Sequence, residues 1–217
     1  MDSIKDFYDP HEEPWRVFRI MAEFVDGFEE LKNISPAISI FGSARTPATD
    51  HYYQQAEKFA FMLGKAGYNV ITGGGPGIME AANKGAKNAE VISVGLNIDL
   101  PMEQEHNPYI TRLVNFKYFF IRKVMFTKYA LGSVFFPGGF GTLDELAEVL
   151  TLIQTNKMRK MPVIIIGRAY WQSFLDFLSN EVLAHKNISA QDLELYTVTD
   201  DLDQALAIIN DYVKKVQ

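Results

Sequence analysis

Reduced to apolar and polar positions, the chain alternates short apolar runs with longer amphipathic ones. "AISIFG" (37–42), "YNVITGGG" (68–75), "VISVGLN" (91–97), "SVFFPGG" (133–139) and "MPVIIIG" (161–167) are short and apolar, and each predicts a buried strand. "TRLVNF" (111–116) predicts a further short one. Helical patterns lie between them: "DHYYQQAEKFAFMLGKAG" (50–67), "GIMEAANKGAKNA" (77–89), "KYFFIRKVMFTKYA" (117–130), "TLDELAEVLTLIQTNK" (142–157) and "AYWQSFLDFLSNEVLA" (169–184). Asp50 stands as an N-cap and Gly67 as a stop. "LELYTVTD" and "DLDQALAIINDYVKK" close the chain. Strands alternating with helices predict an α/β fold, a parallel sheet covered on both faces.

One element precedes this pattern. "EEPWRVFRIMAEFVDGFEELKN" (12–33) predicts a helix with Pro14 in its first turn. Trp15, Phe18, Ile20, Met21, Phe24, Val25, Phe28 and Leu31 crowd one side of it, as in a helix packed on a core or a subunit interface. The expected division is a helical extension over 1–36 and one α/β domain over 37–217.

Composition narrows the function classes. With 217 residues, 47% hydrophobic and 22% charged, the chain has the make-up of a soluble globular protein. A net charge of −6 argues against a non-specific nucleic-acid binder, because phosphate backbones attract basic surfaces. There is no cysteine, so disulfides, thiolate metal sites and a cysteine nucleophile are excluded. The four histidines are scattered without metal-ligand spacing, so no metal is expected. The polar, acidic start is unlike a signal peptide, and no apolar run approaches the roughly 18 residues of a membrane span. The expected location is the cytoplasm.

Candidate chemistry gathers where strands end. In open α/β sheets ligands bind beyond the carboxyl ends of the strands. Three glycine-rich segments fall there: "FGSAR" (41–45), "TGGGPGIME" (72–80) and "FPGGFGTLDE" (136–145). A glycine turn feeding a helix bares N–H groups at the positive end of the helix dipole, so phosphate is the natural guest. Gly42 and Ser43 in the first segment, and Gly74, Gly75, Gly77 and Met79 in the second, are candidate substrate-binding positions. Known phosphate motifs are absent. There is no Gly-x-x-x-x-Gly-Lys-Ser/Thr, and Gly42-Ser43-Ala44-Arg45 breaks the dinucleotide fingerprint. Gly-x-Ser-x-Gly is missing too, which argues against a hydrolase nucleophile elbow.

Two further positions carry charge into this setting. Arg122 and Lys123 sit inside the apolar stretch "FKYFFIRKVMF" and need an anionic partner or a route to water. Glu145 opens the helix after the third glycine loop, where the helix dipole alone favours an acid. It has a working role if it points into the cleft. Asp144 reads as an acid of the helix start.

"PGGFGTLDE" (137–145) fits the Pro-Gly-Gly-x-Gly-Thr-x-x-Glu signature of the LOG ("Lonely guy") family, once labelled lysine decarboxylase-like. "GGGPGIMEAANKGA" (73–86) and the Arg122-Lys123 pair resemble its other hallmarks, and the resemblance runs from about residue 37 to the C-terminus. It implies a Rossmann-like doubly wound parallel sheet and a homodimer or larger assembly. The implied activity is that of a phosphoribohydrolase splitting a nucleoside 5′-monophosphate, a cytokinin ribotide or AMP, into free base and ribose 5-phosphate without a cofactor. Carried over residue by residue, Arg122 and Glu145 would be catalytic. Lys123, Gly138, Gly139, Gly141 and Thr142 would hold the nucleotide, with Glu103 and Thr151 as further contacts. A non-catalytic nucleotide or molybdenum-cofactor carrier is the alternative within the same superfamily, and an intact Arg122 and Glu145 favours the enzyme. Nothing marks a pyridoxal phosphate lysine.

Overall fold

The computed structural model of the chain describes residues 13–99 and 106–216. Seven strands form one sheet: β1 (Ala37–Phe41), β2 (Asn69–Thr72), β3 (Ser93–Ile98), β4 (Arg112–Phe116), β5 (Ala130–Phe135), β6 (Val163–Ile165) and β7 (Thr197–Val198). Their order is β4-β3-β2-β1-β5-β6-β7, and every pairing is parallel. The helices are α1 (Glu13–Leu31), α2 (His51–Lys65), α3 (Ile78–Asn88), α4 (Phe119–Tyr129), α5 (Phe140–Gln154), α6 (Arg168–Phe177) and α7 (Leu202–Val216). This is the expected doubly wound α/β fold.

The pleat divides the core in two. Alternate residues of a strand point to opposite faces. Ile38 and Ile40 of β1 therefore join Phe59 and Leu63 of α2, Ile78 and Ala82 of α3 and Ile209 of α7. Ala37 and Phe41 join the opposite cluster, with Leu31 of α1, Phe126 of α4, Val149 of α5 and Trp171 of α6. The small buried Ser39 lies between these two and donates its hydroxyl to the Phe126 carbonyl (3.1 Å). The Asp50 carboxylate caps α2 by accepting from the Tyr52 N–H (2.7 Å), a contact of about 1 kcal/mol.

Three elements depart from expectation. β5 begins at Ala130 rather than 133, because Ala130 pairs with Ala37 and the central strand needs a neighbour along its length. The predicted helix over 169–184 is α6 followed by a π-helical turn, Leu178–Val182. α1 is apolar on two sides rather than one. Leu31 is buried and Ile20 and Phe24 pack on the core, whereas Trp15, Phe18, Met21, Val25 and Phe28 are exposed.

The sheet order creates one special place. The chain leaves β1 for α2 on one face and β5 for α5 on the other. The loops after these adjacent strands therefore diverge and open a crevice between them.

Candidate active site

The three glycine segments meet at that crevice and are stitched together through Ser43. Its N–H donates to the Pro137 carbonyl (2.9 Å), and its carbonyl accepts from the Ile78 N–H (3.0 Å). Gly77 caps α3 at φ +69°, a conformation side chains resist, and a Cβ there would strike the Ser43 carbonyl. A Cβ on Gly138 would run into the Thr142 side chain, and one on Gly42 would lie 2.6 Å from Ile78. These glycines let the loops approach one another.

The loop after β2 has a separate anchor. Thr72 Oγ1 donates to Asn83 Oδ1 (2.6 Å) and accepts from the Gly74 N–H (3.0 Å). Asn107 Nδ2 donates to the carbonyls of Gly74 (3.1 Å) and Gly75 (3.0 Å) and to Asn83 Oδ1 (2.9 Å). All three side chains are buried, so this network fixes the backbone that forms the cleft floor.

The loops enclose a cleft of about 660 Å³. Of the expected site residues, Gly42, Ser43, Gly75, Met79, Arg122, Gly139, Gly141, Thr142 and Glu145 line it. At its β5 end, Gly139 caps α5 with no side-chain bond; its carbonyl accepts from the Thr142 and Leu143 N–H groups (both 3.0 Å), and the N–H groups of Phe140 and Gly141 have no partner among the described residues. A Cβ on Gly139 or Gly141 would meet nothing within 4 Å. The protein's own packing gives no steric reason for glycine at either position.

Glu145 lies one turn into α5, only 8% exposed, and its Oε2 has no hydrogen-bond partner among the described residues. Burial pushes its carboxyl up to about 7; Glu148 and Asp144 add to the push, and Lys123 and Arg122 oppose it. Arg122 reaches in from α4. Its Nε donates to the Leu96 carbonyl (2.7 Å) at β3, and one terminal nitrogen donates to the Gly73 carbonyl (3.4 Å) after β2. The guanidinium also lies 5.1 Å from the centre of the Phe126 ring. Burial pulls its pKa below the ordinary value, and Glu145 partly restores it. An acid whose charge is disfavoured by burial and a buried cation thus share one cleft, held by different elements.

The remaining expected residues stand elsewhere. Lys123 does not line the cleft. It bonds Asp144 (2.8 Å) and Glu148 (3.0 Å), and burial works against its charge while these two carboxylates hold its pKa above the usual value. Gly74, Gly77 and Gly138 lie behind the lining, where they shape the loops. Thr151 is exposed two turns beyond the cleft on α5. Glu103 falls outside the described residues.

The structure adds lining residues that sequence reasoning did not single out. Gly73 is one, close under the Arg122 guanidinium. Phe119 and Phe126 of α4, Asn97 and Ile98 of β3, and Arg45 after β1 are others. The spacing of Phe119, Arg122 and Phe126 along one helix was the available signal for the aromatic pair. Among the described residues, no group of three or more metal-ligating side chains occurs.

Fold and cleft together define a doubly wound α/β protein with a cleft at its switch point. The family described as "Possible lysine decarboxylase", the LOG family, matches over residues 79–209, and the chain belongs to it. It is 30% identical over 129 residues to the pyrimidine/purine nucleotide 5′-monophosphate nucleosidase of Escherichia coli K12. That match covers 54% of this chain and 28% of the nucleosidase, so the chain spans little more than a quarter of the curated relative's length. Among solved structures it resembles the molybdenum cofactor binding protein of Rippkaea orientalis (TM-score 0.57, 19% identity, 82% of this chain and 95% of the other). It also resembles the Moco carrier protein of Chlamydomonas reinhardtii (TM-score 0.58, 21% identity, 83% and 98%). These likenesses establish the fold.

Proposed function

We propose that the protein is a phosphoribohydrolase that cleaves the N-glycosidic bond of a nucleoside 5′-monophosphate, such as AMP or a cytokinin ribotide. The observation that carries this reading is a buried carboxyl, Glu145, one helical turn from bare N–H groups in a cleft that also holds Arg122. The 5′-phosphate sits on the N-terminus of α5, against Gly139, Gly141 and Thr142, where the dipole favours an anion. Gly139 and Gly141 are glycine because the phosphate occupies the space a side chain would take.

Cleavage breaks the C1′–N bond. The base leaves with the bonding electrons and takes a proton from solvent, and water attacks C1′. Positive charge builds on the ribose, as in other glycoside cleavages. The Glu145 carboxylate stabilises that charge and takes a proton from the water. Arg122, held over β2 and β3, faces the departing base and stabilises the charge it carries away. None of these steps calls on a cofactor. No lysine is among the residues lining the cleft, which leaves the family's decarboxylase description without its expected group.

The exposed strip of α1 belongs to this reading as a self-association surface. Trp15, Phe18, Met21, Val25 and Phe28 follow a helical spacing of three and four.

The test is release of adenine from AMP against adenosine, with the products resolved by chromatography. AMP should be cleaved far faster. Equal rates would remove the phosphate site from the reading. Tight AMP binding with no cleavage across several bases would favour the carrier alternative.

A further inference from the structure

We infer that Tyr170 is a positioning residue for the phosphate: its hydroxyl holds the Gly138–Gly139 peptide in the orientation that turns the Gly139 N–H into the cleft. This rests on the reading of the cleft as a nucleoside monophosphate site, with the 5′-phosphate at the start of α5.

A peptide between two glycines turns over easily, because neither residue has a side chain to restrict it. In a trans peptide the C=O and the N–H lie in one plane and point opposite ways, so whatever holds the carbonyl also aims the next N–H. Two bonds do this on either side of Gly138. The Pro137 carbonyl accepts from the Ser43 N–H (2.9 Å), on the β1 side of the loop. The Gly138 carbonyl accepts from the Tyr170 hydroxyl (2.7 Å), and Tyr170 stands in the first turn of α6, after β6. Successive carbonyls are therefore held toward opposite sides. The Gly139 N–H, opposite the Gly138 carbonyl, faces back toward β1, the side on which the crevice opens. Gly139 lines the cleft and Tyr170 does not, in keeping with that direction. Among the described residues the Gly139 N–H has no partner, and it joins the unpartnered N–H groups of Phe140 and Gly141.

Tyr170 is itself held in place. Asp200 Oδ1 accepts from the N–H groups of Gly167 (2.7 Å) and Arg168 (3.0 Å), which ties the start of α6 to the segment after β7. Gly167 has φ +99°, and a Cβ there would lie 2.9 Å from the Pro137 ring, so α6 begins hard against the glycine loop. The buried Trp171 meets the Tyr170 ring edge-on, with centroids 5.2 Å apart. The Tyr170 side chain is half exposed, so its hydroxyl adds orientation to the loop rather than core packing. A ligand at this place is indicated independently by Glu145, which lines the same cleft and whose buried Oε2 lacks a partner among the described residues.

The experiment compares the wild type with Tyr170→Phe, which removes the hydroxyl and keeps the ring. Calorimetry gives the affinities for AMP, adenosine, ribose 5-phosphate and inorganic phosphate, and kinetics give kcat and KM on AMP. The variant should bind the three phosphate-bearing ligands about 3- to 10-fold more weakly, the scale of one hydrogen bond, and adenosine equally well. The loss on AMP should fall on KM rather than kcat. In amide NMR spectra, inorganic phosphate should move the Gly139 N–H resonance downfield in the wild type and less in the variant. Unchanged affinity for the phosphate-bearing ligands overturns the inference, as does equal weakening of AMP and adenosine or a Gly139 resonance that phosphate does not move. If the wild type cleaves no AMP, the hydrolase reading fails on its own. The affinities for ribose 5-phosphate and inorganic phosphate then decide this inference, and a wild type that binds neither overturns it.

Discussion

Glu145 is a carboxylic acid in a place that disfavours its charge. Its pKa is raised from 4.5 to about 7 in the folded chain by burial, so the native state holds the proton more tightly than the unfolded state does. The stability this proton brings is complete below about pH 4.5 and is lost as pH rises through about 7. The loss approaches about 3 kcal/mol at alkaline pH. Glu145→Gln removes the titration and keeps the shape. We therefore expect it to raise Tm more at pH 8.5 than at pH 5, while turnover on AMP falls at least ~100-fold. Equal Tm shifts at the two pH values would show that the carboxyl is not strained in the fold. In the wild type, kcat/KM should climb with pH through about 7 as the carboxylate forms. Arg122→Ala should also lose turnover, and the double variant should fall well short of the product of the two losses if they act as a unit.

At the scale of elements, the glycines sort into two kinds that a sequence cannot tell apart. Gly77 is required by the fold, with its positive φ and the Ser43 carbonyl where a Cβ would go. Gly141 is within the first turn of α5 and has open space beside it. Gly77→Ala should destabilise the protein by roughly 1–3 kcal/mol in urea titrations. Gly141→Ala should leave stability unchanged or raised by up to ~1 kcal/mol, since alanine favours helix, and yet should weaken AMP binding. Loss of stability in Gly141→Ala with intact AMP binding would reverse the assignment.

The same division marks what was legible beforehand. Strand and helix periodicity revealed the doubly wound sheet, and glycine at three strand ends located the cleft. The family resemblance named Arg122 and Glu145 together, while from the residues alone each was a charge in unusual company. Asn83 and Asn107 were invisible, because they are 24 residues apart and meet only through tertiary folding around the Gly74 carbonyl. Lys123 was assigned to the nucleotide only through the family resemblance of the Arg122-Lys123 pair. Adjacent helical residues point about 100° apart, and the structure turns Lys123 onto Asp144 and Glu148 instead.

At the scale of the whole molecule, the outer strip of α1 is apolar surface that the fold leaves exposed. Trp15 is 68% and Phe18 62% exposed, with Met21 and Val25 more than half exposed beside them. Single exposed apolar residues are ordinary, but a contiguous strip along three turns is the kind of surface on which the proposed self-association would rest. A strip of this kind fits a copy of itself across a two-fold axis, where each contact is made twice. The inner face of α1 is already used, since Ile20, Phe24 and Leu31 join the core, so pairing requires no rearrangement of the fold. Light scattering should therefore give a mass of at least twice 24.6 kDa at micromolar concentration. Phe18→Glu combined with Val25→Glu should lower that mass while changing the stability of the isolated chain little, because both side chains face outward. A wild-type mass of 24.6 kDa, or an assembly unmoved by the double substitution, would place the association surface elsewhere or remove it.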